Sequence, residues 1–232
     1  GKFSDKVYST SGGLHGVGIS VVNALSDVME VEVARDKQLY AQRFSRGITQ
    51  GPLETRGPVQ NRRGTTVRFH PDEEIFGKAR FRPAMLYRLA RSKAYLFKGV
   101  EIRWSCDTAL IGNGDETPAA ATLHYPGGLA DFLNSTLGDR VLIGEAFAGD
   151  KEEGATRERV EWAVTWPDDR DDGFMNAYCN TIPTPSGGTH EAGLRNALLR
   201  GIRSYAEMVG GQKKAAQITA EDVMGGACIM LS

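Results

Sequence analysis

Residues 11–18 read Ser-Gly-Gly-Leu-His-Gly-Val-Gly and run straight into an apolar segment, Ile19 to Leu25. This stretch limits the chain's options more than any other. Gly12, Gly13, Gly16 and Gly18 lack Cβ atoms, so the backbone can adopt positive φ and turn several N–H groups towards one anion. Val17, Val21, Ala24, Leu25 and Val28 recur at helical spacing, which predicts a helix whose N-terminal partial positive charge favours phosphate. Two common glycine-loop folds do not fit. No Lys-Ser or Lys-Thr pair follows the last glycine, as a P-loop needs, and no strand-like run leads in, as a dinucleotide fold needs. On pattern alone the loop is a nucleotide cradle or a set of glycines serving turns and close packing.

Downstream, Met29, Val31 and Val33 alternate with Glu30 and Glu32, predicting a half-buried strand that turns at Asp36-Lys37 into a second strand over Leu39 to Phe44. Thr65 to His70 reads as a further strand, Pro83 opens a helix carrying Leu86, Leu89, Ala90 and Phe97, and Val100 to Trp104 reads as a strand. The turn-rich passage from Gly112 to Ala121 is a loop or an inter-domain crossing, and a boundary is placed near Tyr125. Beyond it, Gly127 to Leu137 reads as a short helix, with Val160 to Trp166 and Met175 to Ile182 as paired strands. The acidic runs from Asp150 and from Pro167 read as solvated loops rather than cation sites. Thr189 is expected to cap a long helix with a Leu194, Leu198, Ile202, Tyr205, Val209 stripe, and Thr219 with Asp222 to form a capping box.

The chain's 232 residues, 41% hydrophobic and 25% charged, allow one large or two modest domains, and no apolar run approaches a membrane span. Three widely spaced cysteines, Cys106, Cys179 and Cys228, argue against a disulfide framework or zinc site and fit a reducing cytoplasm. A net charge of −1 means that any DNA contact must come from a local basic face. The opening Gly-Lys-Phe-Ser-Asp and the strand-like Cys228 to Ser232 both suggest an internal piece of a longer protein.

Gly1 to Tyr8, Ser11 to Ser26, Arg63 to Pro71 and the Asn-Thr-Ile-Pro-Thr-Pro-Ser-Gly-Gly-Thr-His run from Asn180 together resemble the ATPase region of type IIA topoisomerase B subunits. The resemblance covers essentially the whole chain. Ser4, Ser9, Ser92 to Ile102, Phe147 to Asp150 and Thr219 to Asp222 bring it closer to the topoisomerase IV branch than to the gyrase branch. It implies an α+β fold: part of a GHKL (Bergerat) ATPase α/β sandwich over residues 1–124, then a ribosomal S5 domain 2-like transducer domain over 125–232. Other GHKL proteins share the phosphate loop but not the Pro-Ser-Gly-Gly-Thr-His segment.

The same resemblance implies roles for individual residues. Leu14, His15, Gly16, Val17 and Gly18 would wrap the triphosphate of ATP through backbone amides, and Lys2 would lie near the phosphates; the alternatives are a loop residue that merely packs for His15 and an ordinary exposed lysine for Lys2. Tyr8 would reach the nucleotide, or else is a core tyrosine bonding a backbone carbonyl. Thr65 would help recognise adenine, with Val67 lining that pocket, unless both are plain β-branched strand residues. Arg35 would stand at the pocket mouth that aminocoumarin inhibitors contact, or is a solvated strand-end charge. Arg195, Arg200 and Arg203, on a locally basic stretch with Lys213 and Lys214, would touch duplex DNA through phosphates, or else form a solvated helix face.

The general-base glutamate, the asparagine that holds Mg2+ and the adenine-reading aspartate of such proteins would lie upstream of Gly1, and a γ-phosphate lysine beyond Ser232. No catalytic residue is therefore assigned here, and the chain by itself is expected not to hydrolyse ATP. Implied partners are duplex DNA, the A subunit of a topoisomerase IV and a second copy across an ATP-closed gate, with no membrane contact. The rivals are a gyrase B subunit and a nonhydrolysing nucleotide-binding dimerisation module.

Overall fold

The computed structural model describes residues 16–154, 158–169 and 171–232. The chain divides into two compact units at Phe81/Arg82.

In the first unit, helix α1 (Gly18–Ala24) leads into an antiparallel sheet of β1 (Ser26–Arg35), β2 (Gln38–Ser45), β3 (Ile48–Thr49), β4 (Glu54–Pro58) and β5 (Gly64–Pro71), followed by α2 (Glu73–Phe76). The strand order is β3-β2-β1-β5, with β4 also pairing β2. The expected hairpin is present. Asp36 and Lys37, at φ 52° and 60°, form the two-residue turn that Arg35↔Gln38 pairing requires, and positive φ at both positions matches the right-handed strand twist. Val28, expected to continue the helix, instead lies in β1 opposite His70.

The second unit begins with α3 (Pro83–Leu96), whose Pro83 sits in the first turn as expected, then β6 (Glu101–Ser105) and β7 (Ala120–His124), an antiparallel pair. The Gly112 to Ala121 passage thus belongs to the connection within this pair, its last two residues opening β7. There follow α4 (Leu129–Leu137), β8 (Phe147–Glu152), β9 (Arg159–Thr165), β10 (Phe174–Cys179), β11 (Ile182–Pro183), α5 (Thr189–Met208), α6 (Gln212–Ala215), α7 (Ala220–Met224) and β12 (Cys228–Leu231). The sheet order is β11-β10-β12-β9-β8.

One expectation fails here. The strands read as paired, now β9 and β10, are separated by β12, which runs parallel to β10 and antiparallel to β9. The cause is burial on both faces: Cys228 and Met230 pack with Leu129, Phe132 and Leu133 of α4, while Ile229 packs with Leu198 of α5 and Val223 of α7. A strand covered on both sides belongs in the middle of a sheet.

Three smaller readings also change. In α3 the buried residues are Ala94 and Tyr95, whereas Leu86 and Leu89 are exposed, because the helix docks through its C-terminal half with the Tyr95 ring stacked on Phe132 at 3.8 Å. Gly188, not Thr189, is the N-cap of α5, and no side chain caps that end. The Asp150 run enters edge strand β8, where Asp150 pairs with Arg159 at 3.0 Å. The Thr219/Asp222 capping box forms as expected. No helix among the described residues is long and apolar enough to cross a membrane.

Candidate nucleotide-binding face

Strand register brings three of the expected pocket residues together. Thr65 lies opposite Val33 and Val67 opposite Val31, so both share the sheet face of Met29, and Arg35 falls on that face two residues beyond Val33. Val67 is partly exposed, whereas Met29 beneath is buried. The Arg35 guanidinium lies 3.4 Å from the Asp36 carboxylate, and with both side chains more than three-quarters exposed this contact adds little rigidity. Phe69, further along the same face, lines a cavity of about 290 Å³ with Val22, Leu25 and Phe81, so α1 ends over this face.

The opposite face is charged and internally neutralised. Arg56 bridges Glu30 at 2.7 Å and Glu32 at 2.8 Å, and Arg62 reaches Glu32 at 2.5 Å. Hydrogen bonds from Arg56 and Arg62 hold the carboxyl groups of Glu30 and Glu32 below their ordinary range. The alternation of Glu30 and Glu32 in the sequence marked this face as polar, and Arg43 faces Glu30 across the hairpin, but Arg56 and Arg62 lie more than twenty residues away and carry no local signal.

Among the phosphate-loop residues, Gly16 has φ +69° and Gly18 opens α1, with Val17 at the N-cap and no side-chain hydrogen bond there. Among the described residues no side chain caps the first-turn N–H groups, the arrangement that leaves donors for an anion. Lys2, Tyr8, Leu14 and His15 lie outside the described residues.

Asp72 fixes where α1 enters the sheet. This buried carboxylate accepts from Arg46 Nε at 2.5 Å and caps α2 through the Glu74 amide, while the Asp72 amide bonds the Leu25 carbonyl and the Arg46 amide bonds the Ser26 carbonyl. Arg46, then the Glu74 amide, depress the Asp72 pKa. A depressed folded-state value stabilises the fold at pH above the unfolded carboxyl's range, near 3.8, and that contribution disappears as pH falls through the folded value. Asp72→Asn is therefore expected to lower resistance to urea at pH 7, with the gap to wild type beginning to narrow as pH falls below about 4. A gap that persisted unchanged at pH 3 would contradict this.

Among the described residues no three His, Cys, Asp or Glu side chains converge on a possible metal position. On α5, Arg195 and Arg200 are exposed and about 140° apart around the helix. Arg203 differs. Its Nε and Nη2 both donate to the Ile218 carbonyl, at 2.9 and 2.5 Å, which commits its guanidinium to holding the α6–α7 connection. Beside α5 runs an apolar groove of about 940 Å³, lined by Phe147, Trp162, Leu194, Ala197, Gly201 and Tyr205 among others.

Comparison with known proteins shows what the chain is similar to. Over its full length the chain is 54% identical to the B subunit of DNA topoisomerase 4 from Bartonella bacilliformis, covering 33% of that protein, and 54% identical to its counterpart from Caulobacter vibrioides, covering 34%. The chain is a homologue of topoisomerase IV B subunits. Residues 128–232 of this topoisomerase B-subunit homologue match the DNA gyrase B family. The 43K ATPase domain of Thermus thermophilus gyrase B in complex with an aminocoumarin superposes with TM-score 0.74 at 30% identity, covering 94% of this chain and 57% of that one. The topoisomerase IV ATP-binding domain of Francisella tularensis, in complex with a small-molecule inhibitor, gives TM-score 0.67 at 29% identity, covering 96% and 58%. The homologue thus has the α+β GHKL-type fold and spans about a third of the length of the curated relatives it matches.

Proposed function

We propose that this chain supplies the ATP-binding and gate-forming part of an ATP-dependent type II topoisomerase of the topoisomerase IV kind, acting in the bacterial cytoplasm on duplex DNA with an A subunit. The observation that carries this reading is 54% identity along the entire chain to topoisomerase IV B subunits. In this reading residues 1–124 form the nucleotide-binding part and 125–232 the transducer domain, a division supported by the gyrase B match that starts at residue 128.

The face carrying Thr65 and Val67 receives adenine. A threonine hydroxyl can both donate and accept there, and Val67 supplies apolar contact. Gly16, Val17 and Gly18 offer backbone donors to the phosphates, with Lys2, Tyr8, Leu14 and His15 completing the binding set. Arg35, on the rim of the same face, and Val67 form the inhibitor-contact region, a role supported by the aminocoumarin bound to the Thermus relative. ATP with Mg2+ would close two such gates on each other. Arg195 and Arg200, free of the bonding that occupies Arg203, are the DNA-phosphate candidates that remain on α5.

The intact protein with its A subunit, given linked circular DNA and ATP, is expected to separate the circles. Introduction of negative supercoils as the main activity would reassign the protein to gyrase. Absence of any ATP-dependent strand passage would overturn the proposal.

A further inference from the structure

The turn between β10 and β11 is a two-residue hairpin turn closed by the Cys179↔Ile182 pair, with Asn180 and Thr181 at φ 48° and 69°. Asn enters the left-handed region readily, whereas Thr181 is β-branched and strained there. Thr181 is also buried. What holds it comes from α3, 88 positions earlier: Lys93 Nζ donates to the Thr181 carbonyl and to Thr181 Oγ1, at 2.8 Å each. Burial of the Lys93 ammonium lowers its pKa, so these two oxygens replace water that the charge has lost.

The turn passes its geometry onward. The Thr184 amide donates to the Ala177 carbonyl at 2.9 Å and the Gly187 amide to the Thr184 carbonyl at 2.9 Å. Thr184 Oγ1 lies 3.3 Å from His190 Nε2 and 3.5 Å from Glu191 Oε1, in the first turn of α5. A helix with no side-chain cap of its own takes its starting point from this segment.

We propose that Lys93 is the bolt of a latch: its ammonium holds Thr181 in the left-handed conformation, and withdrawing it lets the turn relax and loosens residues 184–188 and the start of α5. Lys93 and Thr181 both belong to the second compact unit, residues 82–232. The latch therefore ties α3, the helix that opens this unit, to the segment that starts the helix bearing Arg195 and Arg200, and its significance rests on the function proposed above.

Amide hydrogen exchange of the full chain tests it in wild type, Lys93→Met, Thr181→Gly and the double variant. Lys93→Met is expected to speed exchange at Thr184 and Gly187 about tenfold, with α4 and β12 unchanged. Thr181→Gly, which enters positive φ without strain, is expected to keep those amides protected and to reduce the effect of Lys93→Met to less than about threefold. An unchanged rate in Lys93→Met, an equal rise in both backgrounds, or a rise spread across α4 and β12 would overturn the latch. If Lys93→Met fails to fold while the double variant folds, relief of strain is the cause and the latch is supported; failure of both overturns it. None of these readouts involves nucleotide or DNA, so failure here leaves the proposed function standing.

Discussion

Gly16→Val in the intact protein is expected to weaken binding of a nonhydrolysable ATP analogue on the order of 10–100-fold. Gly16 sits at φ +69°, where a β-branched side chain costs about 1–3 kcal/mol, and relief of that strain would turn the loop's N–H groups away from the phosphates. Nothing in the described structure lies within 4 Å of a Cβ at this position, so the substitution distorts the loop without wedging the sheet apart. Calorimetric titration measures the affinity, and circular dichroism checks that the sheet survives. Unaltered affinity in a folded variant would remove Gly16 from the binding set.

Leu133→Ala is expected to destabilise the second unit by about 3–4 kcal/mol, a fall of roughly 10 °C in the temperature at which tryptophan fluorescence reports unfolding. Leu133 has no exposed surface and packs in α4 against the aromatic set of Tyr95, Phe132 and Tyr178, with Met230 of β12 in the same cluster. That set collapses poorly. Tyr95 stacks on Phe132, and its hydroxyl is hydrogen-bonded to that of Tyr178, so the rings cannot easily move into a vacated volume without losing the bond. A loss below about 1 kcal/mol would mean that the cluster is loosely packed.

Local chemistry made some parts of this structure legible in advance. The β1–β2 hairpin follows from alternating Met29 to Ala34 and a polar pair at Asp36-Lys37, and the capping box at Thr219 from two side chains three positions apart. Strand alternation placed Met29, Val31 and Val33 on one face, and the resemblance singled out Thr65, Val67 and Arg35. That all six share a face depends on the register of β5 against β1, which no local pattern sets.

Long-range pairing was hidden for the same reason. The four residues of β12 are apolar throughout, and periodicity alone does not say which neighbours an all-apolar strand will take. Lys93 carries no local signal of its contact, because Thr181 lies 88 positions further along the chain. Asp72 and Arg46 are individually unremarkable, and the half-exposed Arg46 meets the buried Asp72 carboxylate only when β1, β2 and β5 are assembled.

The position of β12 also sets how this unit must fold. Strands β9 and β10 lie next to each other in sequence yet share no hydrogen bonds, since the strand between them arrives only after α5, α6 and α7. A quick hairpin nucleus is therefore unavailable at the sheet's centre. The loop-closure entropy of the whole helical excursion must be met before β12 can join both neighbours, a topology that favours slow acquisition of the native sheet and leaves the apolar flanks of β9 and β10 open to other chains in the meantime.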